Sequence, residues 1–373
     1  MKKIAILLAA AMIAGCGSKP QDEPKPAVGG TEAMPMFSFA ASEYPSWSTY
    51  MVAKKAGLIN GTEEGEPGLL EKKWGVRLRL EIKDYDPCIT MYGGGSVDAV
   101  CITNMDALNP ALGRPSTVIL PTSTSVGADK VIGVNWPGKI FEDKMERKEA
   151  VGKYLKGKKT YGLAKSVSEY VWYRGLESYG LNPKDYQYAN LEPAAAATAL
   201  QTGSKDVQVV CIWNPYALQT LRTQGTAKVL FSSAAIPDEV IDCVVMANES
   251  LKKPGGAAAA ALICDTYYEV CKRLDNPKSA DLTLKALGED FSNLSVEDMR
   301  VCTKETRFYS TAQSGIKLFS NEDFKNKTMP TVVKTCQTIG VLEGGKSPTI
   351  GYGDNTKQLN FSTEYMQKAA AGK

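Results

Sequence analysis

Residues 76–103, VRLRLEIKDYDPCITMYGGGSVDAVCIT, decide the fold. Val76, Leu78, Leu80 and Ile82 alternate with Arg77, Arg79, Glu81 and Lys83, the period-two pattern of a strand with one wet face. Asp86-Pro87 supplies a helix start, the glycines from Gly93 stop that helix, and Val97 to Ile102 forms a second strand. Strand, helix and strand joined by short loops predict a parallel unit with a covering helix.

The same alternation extends in both directions. Residues 36–41 read as a strand, followed by a turn at Glu43-Tyr44-Pro45 and a helix from about Trp47 to Ala56, closed by Gly57. Strands near Val118 and Val131 precede a charged helix from about Phe141 to Leu155. A second set follows: strand 160–163, helix 168–179, an Ala-rich helix 193–201, strand 207–213, a helix from Tyr216 and a strand near Val229. Strand 241–246 returns to the first set, and the remainder reads as helices near 250–274, 278–289, 296–307 and 322–338. The expected fold is α/β with two lobes, each a mainly parallel sheet flanked by helices. Residues 35–130 and 238–373 form lobe 1, residues 131–237 form lobe 2, and the carboxyl ends of the strands face a shared cleft.

At the N-terminus, Lys2 and Lys3 precede an apolar run from Ile4 to Ala14, too short to span a bilayer but suited to an export signal. The run ends in Ile13-Ala14-Gly15-Cys16, which resembles the bacterial lipobox and implies cleavage after residue 15 and a lipid on Cys16. Residues 16–34 then read as the lipidated cysteine and a Pro- and Gly-rich tether. No later stretch is long and apolar enough to span, so attachment to a membrane is expected through the lipid alone, on the extracytoplasmic side of the cell envelope.

Composition removes several function classes. Of 373 residues, 358 remain after the signal, more than one core usually serves. The chain has 44 basic and 41 acidic residues, and two of the lysines leave with the signal, so nothing favours nucleic acid. There is no histidine, which excludes Ser-His-Asp and Cys-His machinery and His-ligated zinc. Nine cysteines less Cys16 leave eight, with no CxxC and no connectivity readable from spacing. Cys264 and Cys271 lie about 10 Å apart on one helix, too far to bond. Gly152-x4-Gly157-Lys158-Lys159 nearly matches a phosphate-binding loop, but Lys159 replaces the magnesium-binding hydroxyl and the motif precedes its strand. Ser250-x-x-Lys253 lacks the companion motifs of acyl transferases. No enzyme, metal or cofactor is expected.

Six segments in order carry a resemblance: SEYPSWS (42–48), SVDAVCITNMDAL (96–108), STSVGADKVIGV (123–134), LKGKKTYGLAKSVSEY (155–170), CIWNPYAL (211–218) and VVMANESL (244–251). Together they resemble the type II periplasmic binding proteins of the sulfonate, nitrate, taurine and thiamine-precursor uptake group. That resemblance implies a cleft lined by the loops after these strands. It also implies a role as the substrate-binding lipoprotein of an ABC-type uptake transporter, working as a monomer with a small-molecule solute and with permease and ATPase partners. The alternatives are a ligand-sensing lipoprotein acting on a membrane receptor and, with no histidine to support it, a pyrimidine-synthase-like enzyme.

In those loops, Glu43, Tyr44 and Trp47 offer an acid and two aromatic faces for a planar or cationic group, or else a solvated turn and a core residue. Thr103, Asn104 and Asp106 follow a strand end and either cap a helix or bond a ligand. Ser125 is expected to contact ligand, whereas Ser123 satisfies a turn. Ser166, Ser168 and Glu169 open a helix whose free N–H groups favour oxygens, though Ser166 serves equally as an N-cap. Glu169-Tyr170 departs from the histidine or aromatic of many relatives, which disfavours an oxyanion. Trp213 and Asn214 occupy the place of the family's Trp-Glu-Pro-Tyr, with Asn replacing the acid. With no arginine clamp visible, a polar, neutral or amine-bearing solute is expected.

Overall fold

The computed structural model describes residues 33–136, 144–353 and 356–372. The expected signal segment, Cys16, most of the tether and the start of the charged helix from Phe141 lie outside them.

Two sheets organise the described residues. Strands β1 (Met36–Ala41), β2 (Arg77–Ile82), β3 (Ala99–Thr103) and β4 (Ser116–Ser125) belong to the first sheet. The chain then forms the second sheet from β5 (Asp129–Val134), β6 (Lys159–Gly162), β7 (Gln187–Asn190), β8 (Val209–Trp213) and β9 (Ala227–Ser232). It returns to the first through β10 (Ile241–Ala247), β11 (Thr306–Phe308), β12 (Ile350–Tyr352) and β13 (Leu359–Phe361). The first sheet runs β12-β13-β4-β10-β3-β1-β2, with β11 pairing β4, and the second runs β7-β6-β8-β5-β9.

Both sheets are mixed. β1 is parallel to β2 and β3, and β6 is parallel to β7 and β8, but β10 runs against β3 and β4, and β5 against β8 and β9. The reason lies in the connections. Parallel neighbours need a long crossover, normally a helix, whereas β5 and β10 each arrive from the other sheet.

Alternation in β2 does what its pattern predicts, with one qualification. Leu78 is buried, but β2 is an edge strand, so its outer side needs cover. Arg77 supplies it by donating to the carbonyl oxygens of Thr62, Glu63 and Glu64 at 3.0–3.1 Å. The fully buried Glu71 fixes the same loop, accepting from the backbone N–H groups of Asn60 (2.8 Å), Gly68 (2.6 Å) and Leu78 (2.9 Å). A Cβ at Gly68 would lie 2.5 Å from the Ile59 Cα, so that close approach requires glycine.

The helix Gly256–Asp275 packs against β4 and against several neighbouring helices, with Ala259, Ala260, Ile263, Cys264 and Tyr267 fully buried. Its small residues allow close approach, and Tyr267 reaches the Thr122 carbonyl. Among the described residues, no helix is long and apolar enough to cross a membrane.

All eight cysteines from Cys88 to Cys336 are buried and unbonded. Cys302 and Cys336 lie in polar stretches of sequence but on the inward faces of their helices, beside Met299 and Val332. Thiol reagent is therefore expected to leave these eight unmodified in the native protein and to label all of them after unfolding without reductant. Fewer labelled sites after unfolding would reveal disulfides that this packing does not contain.

Candidate functional site

The carboxyl ends of β1, β2 and β3 meet those of β6, β7 and β8. Between them lies a cavity of about 280 Å³. Ser42, Glu43, Asp84, Tyr85 and Asp86 form one wall, after β1 and β2. Leu163, Glu192, Trp213 and Tyr216 form the other, after β6, β7 and β8. A wider groove of about 690 Å³ opens over Leu274, Leu284 and Phe308. It lies among the later helices and β11, away from these strand ends, and its charged wall is mostly basic, with Arg300, Lys304 and Arg307 beside Asp275.

A row of aromatic rings spans from one sheet to the other. Trp47 stacks on Tyr85, with centroids 5.5 Å apart and planes 17° apart, and Tyr44 lies 4.9 Å from Trp47. Tyr85 in turn meets the edge of Trp213 at 5.7 Å. Tyr85 is held by its hydroxyl, which donates to Asp106 Oδ2 at 2.7 Å and accepts from the Thr103 N–H at 3.0 Å. Asp106 Oδ2 also accepts from Thr103 Oγ1 (2.8 Å) and from the N–H of Val167 (3.3 Å), the first residue of the helix Val167–Ser178 on the second sheet. One carboxylate thus ties two strand ends and a helix N-terminus together.

Several buried polar atoms around this row have no partner. They are Asp106 Oδ1, Asn214 Oδ1, Trp47 Nε1 and Ser48 Oγ. The hydroxyls of Tyr44 and Ser168 are committed instead to Asp242 and Tyr188. A buried polar group left unbonded costs about 1–3 kcal/mol, so such a concentration is unusual away from sites of function.

Burial also raises the carboxyl pKa values. Asp106 is pushed up to about 6, with its bonds to Tyr85, Thr103 and Val167 opposing the shift. Asp129 is also pushed up to about 6, with Ser125 and Lys130 opposing. Asp242 is raised well above the usual range by burial and by the neighbouring Asp129, despite accepting from Ser123 Oγ at 2.5 Å. Lys130 does not neutralise these acids outright. Its ammonium donates to Glu305 Oε2 at 2.6 Å, and Asn214 Nδ2 donates to the same oxygen at 2.8 Å. Glu305 precedes β11, so this cluster joins the two sheets, as does the pair of Arg222 with Asp298.

Glu43, Tyr44, Trp47, Thr103, Asp106, Trp213 and Asn214 therefore gather at or directly behind the cavity. Glu43 accepts from Ser292 Oγ at 2.8 Å, and burial raises its pKa. Other expected residues are committed to the scaffold. Asn104 accepts from the Ile241 N–H and donates to the Glu239 carbonyl, both at 3.1 Å. Ser125 lies 2.7 Å from the Ser233 hydroxyl. Ser166 is an N-cap, accepting from the Ser168 N–H at 3.2 Å, and Glu169 accepts from the Lys165 N–H at 2.7 Å. Asp84, Tyr85, Asp86, Glu192 and Tyr216 escaped the sequence reading because each sits where a helix begins. The signal that finds them is their place just past a strand end.

The pH dependence follows from Asp106 and Asp129. With folded pKa values near 6 against an ordinary 3.8, the folded state holds more protons than the unfolded state between those limits. The associated stability is complete below about pH 4 and is lost as pH rises through about 6. Asp129→Asn is expected to raise stability at pH 7.5 by about 1–3 kcal/mol and to change it little at pH 4, read from thermal unfolding. A lower midpoint than the parent at pH 7.5 would contradict this.

No family model and no curated protein matches the sequence. Solved structures do. The periplasmic aliphatic sulphonate binding protein SsuA from Escherichia coli is 17% identical, with a TM-score of 0.58, over 82% of this chain and 86% of that one. The periplasmic nitrate-binding protein NrtA from Synechocystis PCC 6803 is 14% identical, with a TM-score of 0.57, over 91% and 89%. The Candida albicans CA3427 gene product, described as having the generic periplasmic binding protein fold, is 13% identical, with a TM-score of 0.54, over 91% and 95%. At such identities the likeness is one of architecture: two helix-flanked sheets in the arrangement of the periplasmic binding proteins.

Proposed function

We propose that this chain is the substrate-binding lipoprotein of an ABC-type importer, capturing a small polar or nitrogen-containing solute between its two sheets. The observation that carries the reading is the cavity itself. It lies where the strand ends of both sheets converge, three aromatic side chains line it, and unpartnered buried polar atoms stand around it. The division into lobe 1 (35–130 and 238–373) and lobe 2 (131–237), joined by two crossovers, supports capture by closure. Glu43, Tyr85 and Trp213 contact the solute, and Asp106 and Asn214 stand behind them. Transport energy comes from a partner ATPase across the membrane, reached through a permease. Residues 1–15 are the export signal and Cys16 carries the lipid, which places the protein in the cell envelope.

Two experiments test this. Thermal unfolding of the full chain in detergent is expected to shift upward with one class among amines, guanidines, ureas, pyrimidines, sulfonates, nitrate and bicarbonate. Solute at 100 times its Kd adds about 2.7 kcal/mol. Trp213→Ala is expected to abolish the shift, and a folded protein unmoved by every class would contradict capture. Cys16→Ser is expected to move the protein from the membrane to the soluble envelope fraction; retention on the membrane would contradict the lipid anchor.

A further inference from the structure

The solute-binding reading leaves the charge of the solute open. The cavity wall carries Glu43, Asp84 and Asp86 on one side and Glu192 on the other, and no lysine or arginine lines it. Among the described residues, none of these four carboxylates makes an ion pair with a basic side chain. They also feel one another. Asp84 and Asp86 raise the Glu192 pKa beyond the effect of burial, and Asp84 does the same to Glu43. An acidic rim alone would be a solvated surface, so the observations behind it matter more.

Asp106 is 5% exposed and Asn214 is fully buried, and each keeps one oxygen without a donor. Asp106 stands one hydrogen bond behind Tyr85, and Asn214 directly follows Trp213; both aromatic residues line the cavity. The orientation of the Asn214 amide is fixed chemically. Its Nδ2 donates to the Glu305 carboxylate, which leaves the carbonyl oxygen as the free atom. Above about pH 6, where Asp106 is ionised, both orphans are acceptors only, and what they lack is N–H or O–H donors. Tyr85, Trp213 and Tyr216 add electron-rich faces that attract a cation. A sulfonate or nitrate satisfies none of these features, because it has no donor and meets only negative charge.

Resting on the solute-binding reading, we infer that the cleft selects a small organic cation bearing N–H donors, a primary ammonium or a guanidinium. The rim carboxylates attract it and accept hydrogen bonds from its N–H groups, and the aromatic faces hold it, with the unpaired oxygens of Asp106 and Asn214 adding negative potential from directly behind those rings. Attraction by an exposed rim also falls as salt rises.

The test uses probes that share a tail and differ in the head group. Unfolding midpoints of the full chain in detergent are measured with n-butylammonium, n-butanol and n-butanesulfonate, and with propylguanidinium against propylurea. Expected is stabilisation by the ammonium or guanidinium probe and by none of the others at equal concentration. The double variant Asp84→Asn, Glu192→Gln should weaken apparent affinity roughly tenfold, and added salt should weaken it in the parent. Stabilisation by the sulfonate and not by the cations would overturn the charge assignment while leaving solute capture standing. Equal stabilisation by butanol and butylammonium would overturn it as well, since charge would then play no part. No stabilisation by any probe, in protein that unfolds cooperatively, would count against both.

Discussion

The chain passes between its two sheets at two neighbouring places, and the rest of the molecule is arranged around that double crossing. Only residues 126–128 separate β4 from β5, and β10 takes up the return beside β4. The crossings are fastened to each other: Ser125 N–H donates to the Val240 carbonyl at 3.0 Å, and Gly127 N–H to Ser233 Oγ at 2.8 Å. A short, twice-threaded connection fixes which strand ends face one another while leaving few covalent links for a hinge to bend. It also explains why the strands that follow each crossing, β5 and β10, run against both of their neighbours.

Charge burial at this place works against stability. Asp129 begins β5 and Asp242 lies near the start of β10, both nearly inaccessible, and Asp106 lies close enough to feel Asp129. Hydroxyls from Ser123 and Ser125 compensate in part, and the basic Lys130 is drawn away to Glu305. A core chosen for stability would not hold three such acids. Their presence beside unpartnered acceptors is the pattern expected where stability has been traded for recognition.

Much of this was legible in the sequence, and the gaps have identifiable causes. The alternation of β2, the buried runs of β3 and β8 and the return strand β10 follow from hydropathy period alone. Strand direction does not, because an apolar run reads the same in either orientation; the mainly parallel expectation holds for most strands of both sheets, and β5, β10 and β11 are the ones that run against the rest. Short elements with little burial, such as β7 and β11, lack a periodic signal, and β12 and β13 are only three residues each. At the site, Glu43, Trp47, Asp106 and Trp213 stood out as acids or aromatics after strands. Asp242 carries a readable signal, a lone acid within an otherwise apolar strand, whereas Asp129 is masked by the adjacent Lys130. Asp84, Asp86 and Glu192 were hidden by their proximity to helix starts, where an acid already has a structural reason to be.

Capture between the sheets implies that the distance across the cleft responds to solute, and that distance can be measured directly. Thr90, on the helix after β2, and Ala195, on the helix after β7, are exposed on opposite sides, and the eight described native thiols are buried. Spin labels on Thr90→Cys and Ala195→Cys can therefore be read by pulsed dipolar spectroscopy. A distance distribution that shortens and narrows when a stabilising cation is added is the expected result. A distribution unchanged at saturating solute would contradict closure of the cleft.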